Sequence, residues 1–407
     1  MSGALFLANA QLVLPGGVQP GALLIDDGKI AALGAISPPG GAQSIDLKGA
    51  LLAPAIVDLG VFGVDVAACH AGGIVRIGLM PDQQPVLDDP GIVQRAALMG
   101  RPDLWIHPIA AATRGLAGQD LGEMAINAHA GARAVGTGRG WISDSGVMRK
   151  VLSYARDLGL TLITHSEDAG LAAGAVATEG ETATRLGLPA APALAEALAI
   201  ARDVMLAEET GARLHIRQVT TAAGFALVRA AKARGAALTC GITPAHLLLS
   251  DIAMSDFRTF AHLSPPLRCE SDRQAALAAL ADGTIDVLAS GHDPRGPEEK
   301  RLPFADSAPG MAGAATLLAL GLGLVRDGYL PIERLFAMLA ATPARLLGLD
   351  SGVIAQGLPA DLVVIEPDAP WQIVADALPG RAGNTPFDGL PVQGKVCALF
   401  KGGSRLD

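Results

Sequence analysis

The sequence predicts an α/β fold: a (β/α)8 barrel of the TIM type with a small β-sandwich domain built from both termini. Two observations carry that prediction. Eight short apolar runs between residues 51 and 289 alternate with stretches whose apolar residues recur at helical spacing, the pattern of buried parallel strands joined by crossover helices. Turn-punctuated, strand-like segments stand before and after them. The 407 residues, half of them apolar, suffice for one barrel-sized core with a smaller unit attached.

Taken in order, residues 1–50 are assigned to the small domain. Runs at 4–10, 12–14, 22–25 and 30–33 are separated by Pro15-Gly16-Gly17 and by Asp26-Asp27-Gly28-Lys29, which suits antiparallel strands joined by tight turns. The barrel is assigned to residues 51–350, with strands at 51–57, 74–79, 104–109, 132–135, 160–164, 214–219, 237–239 and 285–289. Helices at 147–158, 193–209, 222–233 and 272–281 fall among the connections. An open doubly wound sheet is the alternative reading of the same alternation. Residues 351–407 return to the strand pattern at 362–365 and 396–400 and complete the small domain.

Several function classes are excluded at this level. No run reaches the roughly 18 uninterrupted apolar residues of a membrane span, and the opening residues lack the basic start of a secretory signal, so a cytoplasmic protein is expected. Cys69, Cys240, Cys269 and Cys397 stand far apart without a CxxC pair, which suits reduced thiols better than disulfides or a zinc knuckle. The net charge is −9 and no Lys/Arg-rich stretch stands out, so the footprint of a nucleic-acid binder is missing. Neither a GxSxG elbow nor a phosphate-cradling glycine loop stands in a convincing context.

Barrel chemistry is expected where strands run out at the C-terminal face. The first strand leads into Asp58-Leu59-Gly60-Val61-Phe62-Gly63-Val64, the fifth ends Thr164-His165-Ser166-Glu167-Asp168, the sixth carries His215, Gln218 and Thr220, and the eighth ends Ser290-Gly291-His292-Asp293. Around them stand Met80-Pro81, Val147 to Lys150, Thr243-Pro244-Ala245-His246, Ser264-Pro265-Pro266 with Arg268, and Asn384-Thr385-Pro386-Phe387. In this order the motifs resemble the dihydroorotase family of the amidohydrolase superfamily, from about residue 50 to the end of the chain. The segment 178–188 and the Pro192/Glu196 helix fit the same resemblance.

That resemblance implies a zinc site, and this chain departs from it at most positions. The family's HxH pair after the first strand reads Gly60 and Phe62, neither of which can ligate zinc. The bridging carboxylated lysine or aspartate after the fourth strand should fall near residues 135–138, where Val135, Gly136, Thr137 and Gly138 stand. His165 survives, the sixth-strand ligand is Gln218, and the Asp-His ending of the eighth strand reads Gly291-His292, with Asp293 as a shifted carboxylate. The substrate-binding arginine and asparagine are replaced by Val64 and Asp82, and Asp82 would repel an anionic ligand.

Each surviving group has a bland alternative. His165 and His292 are either a residual metal site or a hydrogen-bonded pair. His246, a weak candidate for substrate binding, and His262 belong to loop motifs, and His215 reads as a satisfied interior histidine. Glu167 and Asp168 are either an acid/base pair or helix-capping acids. The first functional reading is therefore a non-catalytic homologue needing no cofactor, and the resemblance implies aspartate transcarbamoylase as its structural partner, with self-association as a homodimer a further expectation. The second is an active zinc-dependent cyclic amidohydrolase using His165, His292 and Asp293. The third is a metal-free small-molecule binder using the old pocket.

Overall fold

A computed structural model describes residues 4–406. Eight parallel strands pair in sequence order as the barrel: β1 (Ile56–Val61), β2 (Ile74–Leu79), β3 (Trp105–Ala111), β4 (Ala134–Gly136), β5 (Leu162–Thr164), β6 (Leu214–Ile216), β7 (Leu238–Ile242) and β8 (Val287–Leu288). The strands are buried on both faces, which is why they read as continuous apolar runs without alternation. Inside the barrel pack Val57, Leu59, Met80, Ile109, Ile163 and Val287, with Ala344 and Leu347 beneath. Outside, the crossover helices bury a larger apolar shell. The expected helices are found as Ser145–Asp157, Leu194–Thr210, Ala222–Ala233 and Glu270–Ala281, the first capped by Asp144 and the third by Thr221.

The ring closes between β1 and β8 without a regular ladder. The carboxylate of Asp58, at the centre of β1, accepts the Ser290 backbone N–H at 2.9 Å and the Ser290 hydroxyl, and Phe62 N–H donates to the His292 carbonyl at 2.9 Å. Burial pushes the Asp58 carboxyl up to about 6 against the pull of the Ser290 donors.

The small β domain expected from both termini is formed by one eight-stranded sheet drawn from Leu5–Leu14, Gly17–Asp26, Lys29–Gly34, Gln43–Asp46, Leu51–Pro54, Leu362–Gln372, Pro391–Lys401 and Ser404–Leu406. Its own core joins Leu7, Leu12, Leu23 and Ile30 from the first arm to Leu362, Val364 and Phe400 from the last. One boundary differs from the sequence reading. The apolar run 51–57 is two strands: Leu51–Pro54 pairs antiparallel with residues 362–365 in the small sheet, and only from Ile56 does the chain enter the barrel. Proline has no N–H to continue the ladder, so the passage between domains falls at Ala55. Among the described residues no helix is long and apolar enough to cross a membrane.

Candidate functional site

At the end of β1 the strand register slips between Leu59 and Val61, and Gly60 takes φ +87°, a left-handed conformation that glycine adopts without strain. The bulge leaves room beside Gly60: a Cβ there would lie 3.3 Å from Cδ and 3.5 Å from Cγ of Arg217. Strand alternation would turn Arg217 away from the mouth, one step out of phase with Gln218. However, β6 ends at Ile216, so strand parity no longer governs residue 217, and its side chain turns into the barrel.

The Arg217 guanidinium is 7% exposed and sits among the residues that replace the family's metal ligands. Its Nη2 donates to His165 Nδ1 at 3.2 Å, its Nη1 donates to Gln218 Oε1 at 3.2 Å, and its Cζ stands 5.0 Å from the centroid of the Phe62 ring. Arg139 lies over the same ring at 3.9 Å. Burial pushes the Arg217 guanidinium down to about 10, with the charge of Asp82 opposing the shift. The Nε of Arg217 and Nε2 of His292 are buried without a hydrogen-bond partner among the described residues.

From this guanidinium two chains of polar contacts run outward. On one side His165 Nε2 faces Glu167 Oε2 at 3.6 Å, and Arg268 Nη2 binds Glu167 Oε1 at 3.2 Å. Burial works to raise the Glu167 carboxyl, but His165 and Arg268 outweigh it and hold the group down to about 2. On the other side Gln218 Nε2 donates to His246 Nδ1 at 3.0 Å, and His246 Nε2 donates to the Pro265 carbonyl at 3.0 Å. The lone pair of His165 that a metal would need therefore accepts from Arg217, and Gln218 is engaged at both ends of its amide.

The remaining candidates are held separately. His292 Nδ1 accepts from Ala314 N–H at 3.3 Å, and burial pushes its imidazole down to about 4. His165 and His292 thus have different partners and are not hydrogen-bonded to each other among the described residues. Asp293 Oδ2 accepts from Arg139 at 2.6 Å and Arg295 at 3.0 Å. Asp82 Oδ1 accepts the Arg139 backbone N–H at 2.9 Å, its Oδ2 is buried without a hydrogen-bond partner among the described residues, and Val64 packs against the outer core. Asp168 caps the short helix Ala169–Ala172. Glu196 binds the N–H groups and hydroxyls of Thr220 and Thr221. His215 bonds Thr239, and His262 bonds Ser307 and stacks on Phe304. Residues 135–138 bring no acid to the mouth.

Among the described residues no three His, Cys, Asp or Glu side chains converge as a metal-binding group. The donors at the strand ends do not fit a zinc ion, since glycine, a phenyl ring, an amide and a guanidinium surround the position. The cavity left between Phe62, Arg139, Arg217, Gln218, His246 and Asp293 measures about 30 Å³, room for water, whereas small-molecule sites run to roughly 300–1,000 Å³. Arg139 and Arg217 were missed as site residues. The only available signal was that both follow strand ends at which ligands were expected.

Fold and site together define an amidohydrolase barrel whose mouth has been rebuilt around arginine. The Amidohydrolase family model matches residues 123–406. The chain is 36% identical over 396 residues to the dihydroorotase of Citrifermentans bemidjiense, and 36% identical over 397 residues to that of Syntrophotalea carbinolica, each covering 93% of both chains. Its fold is that of the L-hydantoinase (dihydropyrimidinase) from Arthrobacter aurescens, with TM-score 0.88 at 23% identity over 98% of this chain and 95% of that one. The dihydropyrimidinase from Brevibacillus agri superposes at 0.84, with 20% identity over 99% and 94%. The chain belongs to the dihydroorotase family of the amidohydrolases.

Proposed function

We propose that this dihydroorotase-like chain has given up hydrolysis and serves as a structural partner of aspartate transcarbamoylase. The single observation that carries the loss of activity is Arg217. Its aliphatic stem takes the space beside Gly60 and its guanidinium engages His165 and Gln218, so the water-activating centre of a metallohydrolase has neither donors nor room there. Asp293, the remaining carboxylate, is held by two arginines and is a poor candidate for general base. The transcarbamoylase partnership rests on the family resemblance. Its physical basis is that a barrel's core and outer surface persist without its strand-end residues.

The relatives' names favour the second reading, an active zinc-dependent cyclic amidohydrolase. Metal analysis of the purified chain, with a dihydroorotase assay in added zinc, separates the two. The proposed function requires background zinc and no turnover; stoichiometric zinc with robust turnover refutes it. Size-exclusion chromatography with the transcarbamoylase from the same source tests the partnership. Co-elution at micromolar concentration is expected, and independent elution would overturn that part alone.

A further inference from the structure

Beside the closed mouth lies a second cleft, of about 320 Å³, between residues 295–301 after β8 and residues 375–384 of the closing segment. Four cations line it, Arg295, Lys300, Arg301 and Arg381, against one carboxylate, Asp376. Arg295 is neutralised by Asp293 and Glu299. The other three have no carboxylate in contact among the described residues. Lys300 is 4% exposed, and its ammonium donates only to the carbonyls of Thr259 at 3.0 Å and His262 at 3.3 Å. The guanidinium groups of Arg301 and Arg381 have no hydrogen-bond partner at all among the described residues, and both are exposed.

A buried ammonium without a counter-ion is costly. Burial, with Arg295 next in effect, holds Lys300 down to about 8. Two unengaged guanidinium forks at the edge of the same cleft add to the positive field, in a chain whose net charge is −9. Forks of this kind bind phosphate and carboxylate oxygens in pairs. The walls also carry Phe260 and Leu378, which offer apolar surface to a small organic body. The cleft reaches the lower end of the size range of small-molecule sites.

We infer that this cleft, gated by Arg301 and Arg381 with Lys300 at its wall, binds a small polyanion carrying phosphate or clustered carboxylate groups. The inference does not depend on the loss of hydrolysis or on the transcarbamoylase. Calorimetric titration of the whole chain with pyrophosphate, and separately with citrate, at constant ionic strength tests it. Saturable one-to-one binding of either probe, with a dissociation constant below about 1 mM, is expected. The Arg301→Ala/Arg381→Ala variant should weaken it about tenfold or more, each charge-assisted contact being worth roughly that factor. Arg149→Ala/Arg229→Ala removes the same charge from exposed arginines elsewhere and should leave affinity unchanged. No saturable binding of either probe, or equal weakening by both pairs, overturns the inference.

Discussion

Replacing Gly60 by alanine tests whether the rebuilt mouth is one interlocked unit. Two costs follow from the geometry. The φ of +87° is strained for any L side chain, by about 1–3 kcal/mol. The new Cβ would also press on Arg217 at 3.3 and 3.5 Å, so the guanidinium must shift. Its two hydrogen bonds are already 3.2 Å long, and stranding one buried acceptor costs about 1–3 kcal/mol. The expected destabilisation is therefore about 2–6 kcal/mol. An unfolding entropy of about 2.1 cal/mol/K per residue turns that into a fall in Tm of roughly 2–7 °C for this length. Urea unfolding followed by circular dichroism gives the free energy directly if the slope is unchanged. In an Arg217→Ala background the steric part disappears and the backbone strain remains, so a double-mutant cycle should show a coupling of about 1–2 kcal/mol. A Gly60→Ala protein within about 0.5 kcal/mol of the parent, or a cost identical in both backgrounds, would refute the reasoning.

Three further outcomes are expected. Restoring the family's ligands as Gly60→His/Phe62→His should leave zinc at background, because Arg217 still fills the position; adding Arg217→Ala should admit it, and metal content of the purified proteins decides. Glu196→Ala strips the acceptor from two backbone N–H groups and two hydroxyls and leaves Arg268, 3.5 Å away, short of a partner, so a loss of about 3–5 kcal/mol is expected in urea unfolding. Stability should fall as pH drops from about 6.5 towards 4. Burial depresses His107 and His215 to about 3 and His246, His262 and His292 to about 4, below the unfolded value near 6.5, so the unfolded chain takes up more protons across that window. Asp58, raised to about 6, works the other way, since its folded form binds the extra proton between about 4 and 6. Burial also raises the Asp203 carboxyl, which works in the same sense as Asp58; five imidazoles outweigh these two carboxyls, and Asp58→Asn should steepen the acid limb. Higher stability at pH 4.5 than at pH 7 would contradict this balance.

The barrel was legible because its strands are buried on both faces and its helices carry spaced apolar residues. These signals survive any change at the mouth. The losses at residues 60, 62, 218 and 291 were legible too, since the absence of a ligating side chain needs no coordinates. What replaced them was not. The entry of Arg217 depends on β6 ending at Ile216, a boundary that apolar content blurs because Val219 continues the run. The donor to Asp82, the Arg139 backbone N–H, lies 57 positions away in sequence, so the contact left no local signal. The split at Ala55 was hidden because both Leu51–Pro54 and β1 are fully buried, one in each domain.

The contacts also explain why the substitutions belong together. Gly60 makes space for Arg217, Phe62 gives Arg217 and Arg139 a ring to lie against, Gln218 supplies an acceptor that a histidine would present differently, and Asp293 fixes Arg139. Returning any one of them to the ligand type breaks a contact here without completing a metal site. A histidine at residue 60 meets Arg217, and removing Arg217 alone leaves His165 and Gln218 with unmet acceptors in a buried mouth. Each single step back is therefore uphill in stability and still leaves the set of metal donors incomplete. The Arg217 guanidinium thus links residues that follow β1, β5 and β6, through the Phe62 ring, His165 and Gln218, and holds the mouth together by side-chain contacts alone.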